Sequence, residues 1–248
     1  MTPDTKQTGP VAAETENLQE VIKRARFVLF DFDGPICRLF AGHSAEDVAK
    51  DLVNWLERQG LHGLLTEEER VHPDPMAVLY AVNRRHPHSD LVVELEERLT
   101  QQELKAVPSA WPTEFADPLI RTWSAVGARL AVATNNSPRT AATYLESRGL
   151  TGCFAPNVYG RTEKLHHLKP HPYCLVRALN AMGAAPRDAL MIGDTPTDFH
   201  AAQRADVPFL GYARNAEKEK ELRSAGAEVV VRSLDSVLQI VRDVNPAG

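Results

Sequence analysis

The chain repeats one pattern several times: a short apolar run that ends abruptly in polar residues. The first run, Phe27–Phe30, is followed at once by the sequence Asp-Phe-Asp-Gly, residues 31–34. Continuous apolar, β-prone runs of this length are typical of parallel strands that are buried on both faces. Open α/β sheets bind their ligands at the carboxyl ends of such strands. The pattern therefore predicts an α/β fold with functional groups gathered at one edge of a parallel sheet.

Asp31 and Asp33 are expected to point to the same side of this strand, because side chains alternate along it. Two carboxylates so close repel each other unless a cation lies between them or one of them holds a proton. Either outcome is chemical: a site for a hard metal ion, or a nucleophile beside an acid. Taken alone, the segment is equally compatible with two solvated acids in a turn.

Three further segments complete the pattern. A second apolar run ends in Asp194, with Asp198 one helical turn later. A third run ends in Thr134 and Asn135 just before a predicted helix, where a hydroxyl and free backbone N–H groups can bind an anion. Prolines hold Lys169 in a stiff, non-helical stretch. Carboxylates for a metal ion, donors for an anion and a fixed cation together indicate a phosphoryl-transfer site.

In order and spacing, these four segments resemble the motifs of the haloacid dehalogenase superfamily, and of its phosphoglycolate phosphatase-like branch in particular. Residues 31–34 resemble the first motif, 134–135 the second, 169–170 the third and 193–198 the fourth. The resemblance covers residues 27–231. It implies a doubly wound parallel sheet of the haloacid dehalogenase-like Rossmannoid type, which the repeated strand–helix units of the chain also predict.

The resemblance also implies a role for each acid. Asp31 would be the nucleophile that forms an aspartyl-phosphate, and Asp33 would be the general acid that then becomes the general base. Mg²⁺ would be bound by Asp31, Asp194 and the backbone carbonyl of Asp33. Asp198 would hold a metal-bound water or orient Lys169. The second aspartate, Asp33, is typical of the phosphate-transferring members and is absent from the dehalogenases.

The remaining site residues are expected to bind substrate. Thr134 and the amide of Asn135 would bind the transferring phosphoryl oxygens, and Lys169 would offset negative charge on the nucleophile and on the phosphate. Thr134 could instead simply cap the following helix. Arg38, which follows the first motif, is a candidate contact to the substrate.

Strand–helix alternation stops after the first motif. Residues 44–110 instead show helical periodicity throughout. We interpret them as an inserted α-helical cap domain, which resembles the type-one cap of the family, within an α/β core formed by residues 18–43 and 111–248. Extra helices on one flank of the sheet are the alternative. Residues 1–17 are predicted to be a flexible tail.

Composition narrows the choice of partner. The net charge of −5 gives no support to binding of nucleic acid or of an anionic membrane. No run approaches the roughly 18 apolar residues of a membrane-spanning helix. Three scattered cysteines without metal-binding spacing indicate reduced thiols in a cytoplasmic protein. We expect a monomer or a homodimer whose partner is a small phosphorylated metabolite.

These observations predict a Mg²⁺-dependent phosphatase that hydrolyses a small phosphomonoester through an aspartyl-phosphate. A phosphomutase of the β-phosphoglucomutase type is the enzymatic alternative, because it would share the same core residues but return the phosphate to a second hydroxyl. A non-catalytic binding protein on the same fold is the alternative from a different class.

Overall fold

The structure, a computed structural model, describes residues 10–244 and has a six-stranded sheet at its centre. Every strand runs parallel to its neighbours. The strands are β1 Phe27–Phe30, β4 Arg129–Ala133, β5 Val158–Tyr159, β6 Ala189–Gly193, β7 Phe209–Tyr212 and β8 Val230–Val231. Their order across the sheet is β5-β4-β1-β6-β7-β8. The predicted α/β class and parallel sheet are confirmed.

Helices cover both faces of this sheet because its central strands are apolar on both sides. In β1, Val28 and Phe30 pack into one apolar cluster and Leu29 packs into another. The helices that pack on the sheet are α1 Pro10–Arg24, α6 Ala116–Ala125, α7 Pro138–Ser147, α8 Thr151–Phe154, α9 Tyr173–Met182, α10 Pro196–Arg204, α11 Ala216–Ala225 and α12 Leu234–Val244. The first cluster includes residues of α1, α6, α7, α8 and α12, and the second includes residues of α9 and α10. Helix α11 packs beside β7 and β8.

The order of the strands places a crevice at the centre of the sheet. From β1 the chain crosses to β4 and β5 on one side, and it then returns to β6, β7 and β8 on the other. Parallel sheets bind ligands where the strand order reverses in this way, at the carboxyl ends of the strands. The ends of β1, β4 and β6 meet at this point.

Residues 44–110, the helical block, contain four helices: α2 Ala45–Arg58, α3 Glu67–Arg70, α4 Pro75–Arg85 and α5 Asp90–Ala106. The block has an apolar core of its own, in which Leu52, Leu79 and Leu95 are fully buried. Ser44, Asp74 and Ser89 are the N-caps of α2, α4 and α5.

A short antiparallel pair of strands, β2 Cys37–Arg38 and β3 Trp111–Pro112, lies where the chain enters and leaves the helical block. The block also packs against the sheet-bearing part of the chain, because Leu165 and Leu168 from the segment after β5 complete its apolar core. The helical block and the sheet therefore share a packed boundary directly above the crevice.

The predicted tail needs a correction. Residues 1–9 lie outside the described residues, but α1 begins at Pro10 rather than at residue 18, so the second half of the expected tail is helical. Proline is favoured in the first turn of a helix, where its missing N–H costs no hydrogen bond. None of the helices within residues 10–244 is long and apolar enough to cross a membrane.

The turn after α10 generates a stability prediction. Asp206 has a φ of 54°, in the left-handed region where a Cβ is costly and glycine is free of strain. Asp206→Gly should raise the free energy of unfolding by about 0.5 kcal/mol, since relief of this strain exceeds the added entropy of glycine in the unfolded chain. Asp206→Ala should lower it, because alanine tolerates the conformation less well than aspartate. Urea unfolding tests the order Gly, Asp, Ala; equal stability of the Gly and Ala variants would contradict it.

Candidate active site

The two acids of the first motif lie at the tip of β1 on the cavity side of the sheet. Asp31 is buried and Asp33 half-buried, and both line a cavity at the carboxyl edge of the sheet. Phe32 between them points into the core as predicted, with its ring centroid 5.5 Å from that of Tyr144. Asp33 Oδ1 accepts a hydrogen bond from the backbone N–H of Leu39 at 2.9 Å.

Lys169 joins the ends of β1 and β4 to the first turn of helix α10. Its ammonium lies 2.8 Å from Asp31 Oδ1, 2.6 Å from Asp198 Oδ1 and 2.9 Å from the backbone carbonyl of Ala133. The side-chain amide of Asn135 fixes the backbone of Lys169, accepting from its N–H at 2.8 Å and donating to its carbonyl at 3.1 Å. Asn135 therefore holds the buried cation in place, a role that the sequence did not predict.

Asp198 lies in the first turn of helix α10 and also faces Lys169. Its Oδ2 accepts from the N–H of Asp194 at 3.1 Å, from the N–H of Thr195 at 3.0 Å and from the Thr195 hydroxyl at 2.7 Å. A Cβ on Gly193 would lie 2.4 Å from Asp198 Cβ, so glycine is required for this turn. Both carboxylate oxygens of Asp198 are thus already engaged, which favours the predicted role of orienting Lys169.

The carboxylates of Asp31, Asp194 and Asp198 can each place an oxygen within 4.8 Å of the others. Asp194 Oδ1 is buried and accepts no hydrogen bond from any described residue. A Cβ on Gly34, whose φ is 115°, would lie 2.4 Å from Asp194 Cγ, so only glycine lets this carboxylate approach the first motif. A buried oxygen without a donor, in a group of carboxylates, fits a hard divalent cation such as Mg²⁺. The side chain of Asp33 is not part of this group.

The crowding of buried carboxylates shifts their protonation. Burial, reinforced by the charge of Asp198, raises the pKa of Asp31 to about 7. Burial also raises the pKa of Asp33 and, together with the charges of Asp198 and Asp31, that of Asp194. Burial opposes the charge of Lys169, but Asp198 and Asp31 outweigh it and raise the pKa of the ammonium, which stays charged. The site therefore holds an excess of negative charge that a metal ion would relieve.

Two of the predicted substrate contacts are placed differently. Thr134 is buried, and its hydroxyl bonds to Asn136 at 3.1 Å, accepting from the backbone N–H and donating to Oδ1. Neither Thr134 nor Arg38 is among the residues that line the catalytic cavity. The Arg38 guanidinium stacks 5.3 Å from the ring centroid of the exposed Trp111 and lines a neighbouring cavity instead.

The catalytic cavity has a volume of about 430 Å³ and is lined from both sides. The sheet contributes the strand-end residues, and the helical block contributes a wall above them. Lys218 Nζ lies 3.9 Å from Asp194 Oδ2. Beyond the predicted residues, the lining includes Phe40, Asp74, Met76, Glu103, Arg214 and Lys218, none of which was predicted as a site residue.

Comparison with known proteins decides the family. A family model described as haloacid dehalogenase-like hydrolase matches residues 25–206. The chain belongs to this family. The resemblance inferred from the four motifs is thereby confirmed, as is the expectation that the protein is an enzyme of the hydrolase class.

Individual relatives share low sequence identity with this chain but match most of its length. Pyrophosphatase PpaX of Halalkalibacterium halodurans is 28% identical over 175 residues, which cover 70% of this chain and 73% of that protein. Phosphoglycolate phosphatase of Rhodospirillum rubrum is 28% identical over 200 residues, covering 75% and 80%. A crystal structure of a predicted phosphatase from Clostridium acetobutylicum superposes with a TM-score of 0.63 at 17% identity, covering 88% of this chain and 98% of that one, which supports the fold.

Replacement of the buried cation should destabilise the protein in a pH-dependent way. Lys169→Met leaves the carboxylates of Asp31 and Asp198 buried without the opposite charge of the ammonium, and we expect the free energy of unfolding to fall by about 3 kcal/mol in EDTA at pH 8. The loss should shrink towards pH 5.5, because the raised pKa of Asp31 lets the carboxyl take up a proton and lose its charge.

Chemical unfolding at both pH values measures this loss. Lys218→Met serves as the control. The Lys218 side chain is 24% exposed and its Nζ is as far as 3.9 Å from Asp194 Oδ2, so the free energy of unfolding should fall by less than about 1 kcal/mol. A loss for Lys169→Met that does not change with pH would contradict the account.

Proposed function

We propose that the protein is a Mg²⁺-dependent phosphatase that hydrolyses a small phosphomonoester through an aspartyl-phosphate on Asp31. The observation that carries the proposal is the cluster of Asp31, Asp194 and Lys169 at one strand edge, in which a buried oxygen of Asp194 lacks a donor among the described residues. Bound there, Mg²⁺ would neutralise the carboxylates and draw the phosphoryl oxygens towards Asp31. The phosphatase names of the curated relatives support the same class of reaction.

The chain's own residues account for each proton and bond. A carboxylate oxygen of Asp31 attacks phosphorus while the bond to the leaving oxygen breaks, and Asp33 donates its proton to that oxygen. Asp33, now a carboxylate, then takes a proton from water, which attacks the phosphoryl group and releases inorganic phosphate and the Asp31 carboxylate. Burial raises the pKa of Asp33, which favours the protonated form that the first step needs. Lys169 offsets the negative charge of nucleophile and phosphate throughout.

Residues 134–137, between β4 and α7, form the phosphate-binding loop in this proposal. The loop precedes the N-terminus of α7, and Asn135 and Asn136 line the cavity. Backbone N–H groups near a helix N-terminus favour anions. The structure assigns the Thr134 hydroxyl to the internal turn of this loop, so we propose that Thr134 shapes the loop and that the backbone N–H of Asn135 binds the phosphoryl group.

The helical block is proposed to act as a cap over this site. Its residues Asp74 and Met76 line the same 430 Å³ cavity as the strand-end acids, so a substrate must fit between the two. Exclusion of water favours phosphoryl transfer and restricts the substrate to small metabolites. Arg214 and Lys218 add positive charge to the lining, which favours a substrate that carries a second anionic group. Phosphoglycolate and pyrophosphate, in the names of two relatives, are molecules of this kind.

Asp31→Asn should abolish turnover, because the amide is a poor nucleophile of the same shape. We expect kcat for p-nitrophenyl phosphate with Mg²⁺ to fall by at least about 1,000-fold while the protein remains folded. Asp188→Asn is the matched control: Asp188 precedes β6 at the opposite edge of the sheet, and kcat should stay within about twofold. More than a few per cent residual activity, with deamidation excluded by mass spectrometry, would rule out Asp31 as the nucleophile. With a sugar phosphate as the substrate, an isomerised product that keeps its phosphate on another hydroxyl would indicate a mutase instead.

The Mg²⁺ concentration that the enzyme requires should rise as the pH falls. A proton on Asp31, whose pKa is raised to about 7, competes with the metal, so the Mg²⁺ concentration for half-maximal activity should rise as the pH falls below 7. The rise should approach about tenfold per pH unit near pH 5.5 and vanish above pH 8. Titrations of EDTA-treated protein with Mg²⁺ at several pH values measure this, and full activity without added metal would refute the metal assignment.

A further inference from the structure

A buried arginine outside the family motifs joins the helical block to the phosphate-binding loop. Arg161, in the segment after β5, has a fully buried side chain. Its Nε donates to Glu96 at 2.8 Å, its Nη2 to Thr100 at 3.0 Å and its Nη1 to Glu103 at 2.7 Å, all on helix α5. Nη1 also donates to the backbone carbonyl of Asn135 at 3.1 Å. One guanidinium thus contacts both α5 and the loop.

Glu103 makes the same connection from the other side. It is 1% exposed, and its Oε2 accepts from the backbone N–H of Ser137 at 2.9 Å and from the Thr140 hydroxyl at 3.2 Å. Its Oε1 accepts from the side chain of Asn136 at 3.2 Å as well as from Arg161. The carboxylate from α5 therefore lies at the N-terminus of α7, where the helix dipole stabilises negative charge.

These contacts lead directly to the catalytic cation. Arg161 holds the main-chain carbonyl of Asn135, and the side-chain amide of the same residue holds the backbone of Lys169. Lys169 in turn contacts Asp31 at 2.8 Å. A displacement of α5 would therefore change the surroundings of the nucleophile through three intervening residues, Arg161, Asn135 and Lys169.

Simple attachment of α5 to α7 does not require this buried network. An exposed ion pair between Arg139 and Glu97, at 2.8 Å with half-exposed side chains, joins the same two helices without touching the loop. Burial of charged groups is a poor source of net stability, because desolvation offsets most of the Coulomb attraction. The buried network fixes the position of the phosphate-binding loop, whereas the exposed ion pair does not contact that loop.

We propose that Arg161 and Glu103 are positioning residues that couple the seating of helix α5 to the geometry of the phosphate-binding loop. The inference rests on the proposed function, which assigns that loop to phosphate. Lysine cannot replace Arg161, since its single ammonium lacks the planar fork that reaches α5 and the loop together. The helical block then sets the catalytic geometry as well as enclosing the substrate.

The test compares Arg161→Lys and Glu103→Gln with two controls. Arg139→Gln removes the exposed ion pair, and Leu238→Ala weakens the apolar core around helix α12 without changing a residue of α5 or of the network. Four quantities are measured for each Mg²⁺-loaded protein: kcat and KM for p-nitrophenyl phosphate well below the unfolding temperature, the Kd of inorganic phosphate by calorimetry, and Tm.

Both network variants should lose at least about tenfold in kcat and bind inorganic phosphate at least about fivefold more weakly, and the double variant should lose little more than the worse single variant. Both controls should keep kcat and the phosphate Kd within about twofold, even where Leu238→Ala lowers Tm as far as the network variants do. If Arg161→Lys does not fold, Glu103→Gln, which preserves shape, decides.

A fall in Tm alone, with kcat and phosphate Kd unchanged, would overturn the inference and leave the proposed function intact. So would an equal loss of kcat in Leu238→Ala. A folded wild-type protein that turns over no phosphomonoester would instead contradict the proposed function, and the calorimetric comparison of phosphate binding would then decide the positioning role by itself.

Discussion

The charged centre of this protein depends on one buried cation. Lys169 lies 2.8 Å from Asp31 and 2.6 Å from Asp198, out of contact with the water that would screen these charges. Without it, carboxylates from two strands would meet in a site of low polarity, which costs several kcal/mol per uncompensated ion. Asn135 holds the backbone of Lys169 and thereby links the ends of β1, β4 and β6. Both the stability of the buried charges and the proposed reaction therefore depend on the ion pairs of Lys169 with Asp31 and Asp198.

The single positive charge of Lys169 does not neutralise the carboxylates of the site. The remaining negative charge is the basis of the proposed function. The pKa of Asp194 is raised by burial and by its acidic neighbours, and its Oδ1 has no donor among the described residues. Gly34 lets that carboxylate approach the first motif, where any side chain would collide with it. The folded protein thus gives up some stability to keep an arrangement that a divalent ion and a phosphate would complete.

The sequence predicts that most residues of the candidate site lie together at one edge of the sheet, because the signals for these residues are local. A buried apolar run followed by acids specifies where Asp31 and Asp194 lie once the strands are parallel, and prolines mark Lys169. Arg161 and Glu103 carry no such signal: they are 58 residues apart, and only the packing of the helical block on the loop brings them together. Arg38 illustrates the converse, since closeness in sequence to the first motif did not place it in the catalytic cavity.

The most direct test of the account is to trap the covalent intermediate. Wild-type protein with Mg²⁺ is mixed with a phosphorus-labelled small phosphomonoester, quenched in acid within the first turnovers, and digested for mass spectrometry. Borohydride reduction marks the acyl phosphate by converting the modified aspartate to homoserine. The account predicts label and conversion at Asp31 alone. Label at another residue, or steady turnover with no covalent phosphate at any time, would contradict it.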